Sequence, residues 1–363
     1  MWTYLPVVLL PALLVVLVCR WIWPHHITIR EWLLQGAGVI LSTLIFMVVI
    51  WGSSFSMIGD TSIFNGYVTG KDRVKVSCSH HYVCGETCHM ETTTDSKGKK
   101  HTRKVCQPKY CDEHSYDVDW DVYSTLGTFT IERVDRRGME VPDRWDMVDV
   151  DEPVAVAGYV RNYMLLDGTR FNTSDLIRTK YLGKIPGYPH VHDYYRYNRI
   201  VQDPGDSTDF DGINIWLNNQ LRKDGALKQL NVILVVTQYD QDYFYAVMEA
   251  WKGTKKNDVV IFYGVDDKLE VQWTKAMSFA DGQNNQVMLK EVEGLAYDRT
   301  LDIGLVQDQY RVIQNDFKRV PNKTFAYLTN GWIPPTWLLV TLSILNLLVA
   351  VGVAYVVIKE DVA

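Results

Sequence analysis

Residues 2–19, 32–58 and 324–358 contain no Asp, Glu, Lys or Arg, although charged residues make up 22% of the chain. That segregation excludes a soluble cytosolic protein, and a hydrophobic content of 47% excludes a disordered one. The apolar stretches also lack the buried ionisable groups that proton relays and ion pathways normally use, which leaves a pump or carrier without support. The Gly-x-Ser-x-Gly, His-Glu-x-x-His, Gly-x-Gly-x-x-Gly and Gly-x4-Gly-Lys-Ser/Thr motifs are all missing, which leaves the standard hydrolase, zinc-protease and nucleotide readings without support. There is no internal repeat.

The apolar stretches predict three transmembrane helices, at residues 1–23, 32–58 and 336–358. Trp2–Val18 is just long enough to cross about 30 Å of hydrocarbon, and Pro6 and Pro11 can kink it. A cleaved signal peptide competes with this reading. However, no Lys or Arg precedes the run, no small-x-small site follows it, and Leu17-Val18-Cys19-Arg20 does not match a lipidation box. Trp21, Trp23, Trp32 and Trp51 flank the first two spans, as side chains at headgroup depth do. Pro334-Pro335 leads into the third span and Lys359-Glu360-Asp361 ends it.

Arg20 and Arg30 lie in the loop 20–31, and residues 1–19 have no basic side chain. The positive-inside rule therefore assigns segment 20–31 and the C-terminus to the cytoplasm and the large domain, 59–335, to the outside. Lys318, Arg319 and Lys323 before the third span point the other way, but long domains cross largely regardless of charge.

Between the spans, Lys71–Lys109 is basic and Tyr110–Pro153 acidic. Two solvated surfaces of one fold account for this, and no accompanying motif suggests nucleic acid. Residues 59–172 read as an extracytoplasmic β-rich module, with short β-branched and aromatic runs between Gly, Asp and Pro breaks. Residues 173–199 read as a linker whose tyrosines pack at a domain junction. From residue 200 to 320 helices alternate with strands: Asn231–Thr237 is a nearly pure Val/Ile/Leu run, and Asp258–Val265 is a second buried strand. Strand, helix, strand implies a right-handed parallel crossover. The fold class is thus a membrane-anchored α+β protein with three transmembrane helices, a β-rich module containing cysteines and an α/β sandwich domain.

Cysteine and histidine cluster in the first module. Cys78-x5-Cys84-x3-Cys88-x17-Cys106-x4-Cys111 is interleaved with His80, His81, His89, His101 and His114. Outside the membrane such cysteines normally form disulfides; two bridges would leave one of the five thiols over. Zinc, held by thiolates and an imidazole such as His114, suits the odd count, but no gap has the two-residue knuckle spacing of structural zinc. Either role is structural.

Asp240 and Asp242 follow the first parallel strand, and Asp266 and Asp267 follow the second. Ligands bind at the carboxyl ends of strands in an open α/β sheet, and four carboxylates there could hold Ca²⁺ or Mg²⁺. The alternative is turn residues and a helix cap, which Asp commonly supplies. His190-x-His192-Asp193, flanked by prolines, reads as a loop rather than a metal pair.

Residues 200–320 resemble the TPM domain family. The resemblance rests on a helix, Asn231-Val-Ile-Leu-Val-Val-Thr, an amphipathic helix ending in Ala250-Trp251, then Lys255-Lys-Asn-Asp-Val-Val-Ile-Phe and Leu269-Glu-Val-Gln. It implies a small extracytoplasmic α/β domain of a kind commonly tethered by transmembrane helices, some of whose members have been assigned phosphatase activity or metal binding through acidic strand ends. The chain departs from the pattern where relatives usually have a glycine-rich segment, with Trp273-Thr-Lys-Ala-Met instead. The expected function is a membrane-tethered extracytoplasmic binding or scaffolding protein of the cell envelope. Its partners would be the lipid bilayer and a protein of the membrane or envelope. The alternative is a metal-dependent phosphatase working at the acidic strand ends.

Overall fold

The computed structural model of the chain describes residues 2–25, 27–94, 100–166, 171–279, 283–330 and 332–360. Among them, three helices are long and apolar enough to cross a membrane: Leu5–Ile22, Ile29–Met57 and Thr336–Glu360. Each turns large side chains such as Leu14, Leu41 and Leu348 outward and packs Val8, Ala12, Val16, Val39 and Ala350 inward. Thr28 caps the second helix. Its hydroxyl accepts the Glu31 N–H while the Glu31 carboxylate accepts the Thr28 N–H, which explains a buried acid at that end.

Asn346 is fully buried where the three helices meet. Its amide donates to the Val8 carbonyl of the first helix at 2.9 Å and to Thr43 Oγ1 of the second at 2.8 Å, and its oxygen accepts from Ser42 at 2.5 Å. One residue of the third helix thus satisfies its whole amide by touching the other two.

The strand Gly59–Val76 begins directly beyond the second helix, which ends at Met57. Residues 59–67 pair antiparallel with Pro153–Arg161, and residues 68–76 with Asp117–Ser124, with a register shift between Val68 and Gly70. Gly127–Ile131 completes a sheet in the order 127–131, 117–124, 59–76, 153–161. Alternate residues Val118, Trp120 and Val122 face inward onto Val68, Ile131, Val154 and Tyr195, the period-2 pattern of a half-buried strand.

The cysteine-rich segment forms a separate two-stranded ribbon, His81–Thr94 paired with Lys100–Asp112. Residues 81–90 are all exposed, and among the described residues each strand of the ribbon packs chiefly against the other. The segment is thus a long hairpin held by strand pairing and disulfides, because its polar sequence supplies no apolar face to bury.

The second sheet has the order Val271–Ser278, Asp258–Val265, Asn231–Thr237, Ile200–Gln202. The last three run parallel and the first is antiparallel to its neighbour. Asn231–Thr237 and Asp258–Val265 are buried at every position, since both faces are covered. Leu217 and Leu221 of helix Asp211–Lys228, together with helices Gln283–Leu295 and Ile303–Asp316, pack on Val232, Leu234 and Val236. Helix Tyr243–Trp251 and Tyr181 pack on Ile233 and Val235, the opposite face. The two crossovers step the same way across the sheet but use opposite faces, so they are of opposite hand, and the right-handed rule holds for only one of them. Trp273-Thr-Lys-Ala-Met is ordinary strand, and Gly264, which pairs with Trp273, has no Cβ to collide with the indole.

In residues 173–199, Ile177, Tyr181, Ile185 and Tyr188 pack against helix Tyr243–Trp251, while Tyr195, Tyr197 and Arg199 reach the first sheet and the junction. Tyr181, Tyr195, Tyr197 and Arg199 are among the most buried side chains. Arg199 Nη2 donates to Asn65 Oδ1 of the first sheet at 2.6 Å, Nη1 to Asn231 Oδ1 of the second at 2.5 Å, and Nε to Asn218 Oδ1 at 3.0 Å. Asn65 in turn donates to the Leu230 carbonyl, and Lys255 binds Asp60 at 2.6 Å. The guanidinium is held by amides of both modules, and its charge has no direct carboxylate partner in this network.

Candidate functional site at the root of the hairpin

The cysteines divide into two sets. Cys84 and Cys111, and Cys88 and Cys106, stand at disulfide distance and join the two strands of the hairpin. Cys88 and Cys106 are direct cross-strand partners, while Cys84 lies at the register shift between Val83 and Gly85. Cys78, the fifth, is free and buried.

Cys78 lies just past the end of the long first strand, His114 just past the hairpin, and Asp117 at the start of the next sheet strand. The chain leaves the sheet and re-enters it at this point, so three residues from two connections meet. Cys78 Sγ is 3.6 Å from His114 Nε2, and the same nitrogen is hydrogen-bonded to Asp117 Oδ1. The three donor atoms all lie within 4.8 Å of one another. Asp117 is completely buried; its other oxygen, Oδ2, accepts from the Ser79 N–H and hydroxyl, both at 3.1 Å, and faces Arg133 at 3.2 Å. The His114 hydrogen bond above all, helped by Ser79 and Arg133 against the opposing effect of burial, holds the Asp117 carboxyl far below the usual carboxylate range.

The arrangement is not that of a nucleophile relay. A Cys-His-Asp relay uses both ring nitrogens, one toward the thiol and the other toward the carboxylate. Here sulfur and carboxylate approach the same one. What the geometry supplies is three electron-pair donors facing one point. A second grouping, Glu86 with Cys88 and Cys106, is exposed, and its sulfurs are already paired.

The four aspartates are placed differently. Lys180 Nζ stands between Asp240 at 2.9 Å and Asp242 at 3.0 Å, and Asp242 also accepts the Tyr181 hydroxyl. Asp266 accepts the Lys268 and Glu270 N–H groups within its own turn, and Asp267 accepts Gln238 Nε2 at 3.2 Å, which links the two turns. Among the described residues the four do not bring three carboxylate oxygens within 4.8 Å of one another. Lysine compensates the first pair, and turn hydrogen bonds occupy Asp266. His192 lies in the two-residue strand Val191–His192 and belongs to no group of three or more metal-type donors among the described residues.

The sequence reading did not select Asp117, Lys180 or Asp203. Asp203 follows the third parallel strand, accepts Thr237 Oγ1 at 2.7 Å and the Gln238 N–H at 3.0 Å, and is raised above the usual range by burial. The spacing His114-x-x-Asp117 was a readable signal for the first of these; no local pattern marks the other two. No protein-family model matches the chain, and no curated protein or solved structure is significantly similar to it.

Proposed function

We propose that this is a membrane-tethered binding or scaffolding protein of the cell envelope, which presents its hairpin to a protein partner outside the cytoplasmic membrane. The carrying observation is the hairpin itself. It is a ribbon of 14- and 13-residue strands, cross-linked twice in the half nearer the sheet, exposed on both faces and mounted on a sheet continuous with an apolar helix. A fold does not maintain such an arm for its own core, since the arm buries almost nothing. Tyr82, Val83, Met90 and Tyr110 are exposed on it, and its two outer edges carry backbone groups that a partner strand can pair with.

Cysteine pairing supports an oxidising compartment for the arm, in line with the orientation given by Arg20 and Arg30. The metal-dependent phosphatase alternative has less behind it, because Lys180 stands where a cation would have to sit between Asp240 and Asp242. The test combines topology with contact. A cysteine placed at Met90 should react with a membrane-impermeant maleimide in intact cells, while a tag after Ala363 stays protected. A photo-crosslinker at Tyr82 or Tyr110 should give one discrete adduct in native membranes that the same group at exposed Leu176 does not. A protected Met90 site, or equal adducts from the arm and from Leu176, would overturn the proposal.

A further inference from the structure

We propose that Cys78, His114 and Asp117 form a binding site for a zinc-type divalent cation, which clamps the root of the hairpin to the sheet. This does not rest on the arm's being a partner-binding element; it concerns only what fixes the arm in place. The donor set is the first argument. One sulfur, one imidazole nitrogen and one carboxylate oxygen are the three ligand types zinc takes, whereas the hard cations Ca²⁺ and Mg²⁺ take oxygen alone.

Spacing is the second. Tetrahedral zinc, with sulfur at about 2.3 Å and nitrogen at about 2.0 Å, holds those two atoms about 3.5 Å apart. Cys78 Sγ and His114 Nε2 are 3.6 Å apart. An S–H···N hydrogen bond has a similar length, so the spacing fits the metal without requiring it; the third donor, Asp117 Oδ1, lies within 4.8 Å of both atoms and would draw back from Nε2 to admit the ion.

Third, the outer partners are already in place. Ser79 and Arg133 hold Asp117 Oδ2 and leave Oδ1 to point at the imidazole nitrogen, as hydrogen bonds to a ligating carboxylate's far oxygen orient it toward a metal. The side chain of Cys78 is closed off from solvent, while His114 keeps a 13% exposed edge through which an ion and a completing water can enter. Binding is ligand exchange without redox change. The thiol proton leaves to solvent, the Nε2 proton leaves to solvent from a protonated ring or passes to Nδ1 from a neutral one, and the metal takes the vacated places on sulfur and Nε2.

Full-length protein in nanodiscs, with its disulfides intact, is titrated with Co²⁺ as a spectroscopic stand-in for zinc. The expected result is one equivalent bound with a sulfur-to-cobalt charge-transfer band, discharged by Zn²⁺. Cys78→Ser should abolish the band and weaken zinc binding roughly 100-fold or more, beyond the ~10–100-fold typical of losing an outer-shell partner. Should that variant fail to fold, the wild-type protein still decides the matter. Zinc should slow alkylation of Cys78 at least tenfold and leave Cys19, the other free thiol, unchanged. A wild-type titration without the band, a band that survives Cys78→Ser, or Cys78 alkylation indifferent to zinc would each overturn the proposal.

Discussion

Replacing Arg199 by Met tests what joins the two halves of the head. Its guanidinium is 1% exposed and donates to Asn65, Asn218 and Asn231. Burial pushes it well down, to about 10, which at about 1.4 kcal/mol per pH unit costs the folded state on the order of 3 kcal/mol. Against that stand three hydrogen bonds from a charged donor, at about 1.5–3 kcal/mol each, or roughly 4.5–9 together. The amides cannot turn over to compensate, because their nitrogens already serve Leu230, Tyr197 and Asp258. Arg199→Met should therefore destabilise the head by about 1.5–6 kcal/mol net. It should also decouple the halves, since Asn65 belongs to the first sheet and Asn231 to the second. The assay is urea unfolding of the full chain in nanodiscs, with hydrogen exchange read separately in Gly59–Val76 and Asn231–Thr237. One cooperative transition weakened by less than ~1 kcal/mol would refute the reasoning and mean that apolar packing alone holds the junction.

In the helix bundle, Asn346→Leu removes contacts to Val8, Ser42 and Thr43 and should cost about 1–2 kcal/mol in a detergent-unfolding titration, near the top of the range for polar contacts between apolar helices; no change would show that those contacts are made equally well in the unfolded reference state. Reducing the two disulfides, which span 18 and 27 residues of sequence, should withdraw about 3 kcal/mol each from the hairpin, so its amides should exchange faster while the head's unfolding midpoint holds; a falling head midpoint would contradict the separateness of the arm. Glu249 is held below the ordinary range chiefly by Arg178, and Asp242 by Tyr181 and Lys180 against the opposing effect of burial. Depressed carboxylates contribute stability that is present above their unfolded values and lost as pH falls through the folded ones. The stability gap between the wild type and an Arg178→Met, Lys180→Met variant should accordingly close as the solution is taken below about pH 4; a gap that is constant with pH would assign these side chains to packing alone.

Periodicity made the fold largely legible. The three apolar helices, the buried runs at 231–237 and 258–265 and the helices between them follow from hydrophobic spacing, which depends only on neighbours in sequence. Opposite crossover hands were not legible, because nothing local to Asp211–Lys228 or Tyr243–Trp251 says which face of the sheet each will cover. In residues 173–199 the Gly and Pro residues mark turns and the tyrosines suggest packing at a junction, but neither says that Tyr181 lies against helix Tyr243–Trp251 or that Arg199 joins the two sheets. Asp240 and Asp242 looked like a cation site while their neighbour in space, Lys180, stood 60 residues away in sequence.

The odd cysteine count was the most informative single feature, and lever geometry says why its remainder sits where it does. A 13-residue strand extends about 44 Å at 3.4 Å per residue. A swing of about 10° at the root would carry the tip about 8 Å, further than the ~5 Å spacing of neighbouring strands. The two cysteine pairs bind the strands to each other and do nothing about that swing, because both members of each pair belong to the arm. Only contacts made at the root can limit it, and there the chain has Cys78 and Ser79 on the outgoing connection, His114 on the returning one and Asp117 inside the sheet. Four cysteines thus keep the arm straight, and the fifth, with an imidazole and a carboxylate, stands where the arm's direction is set.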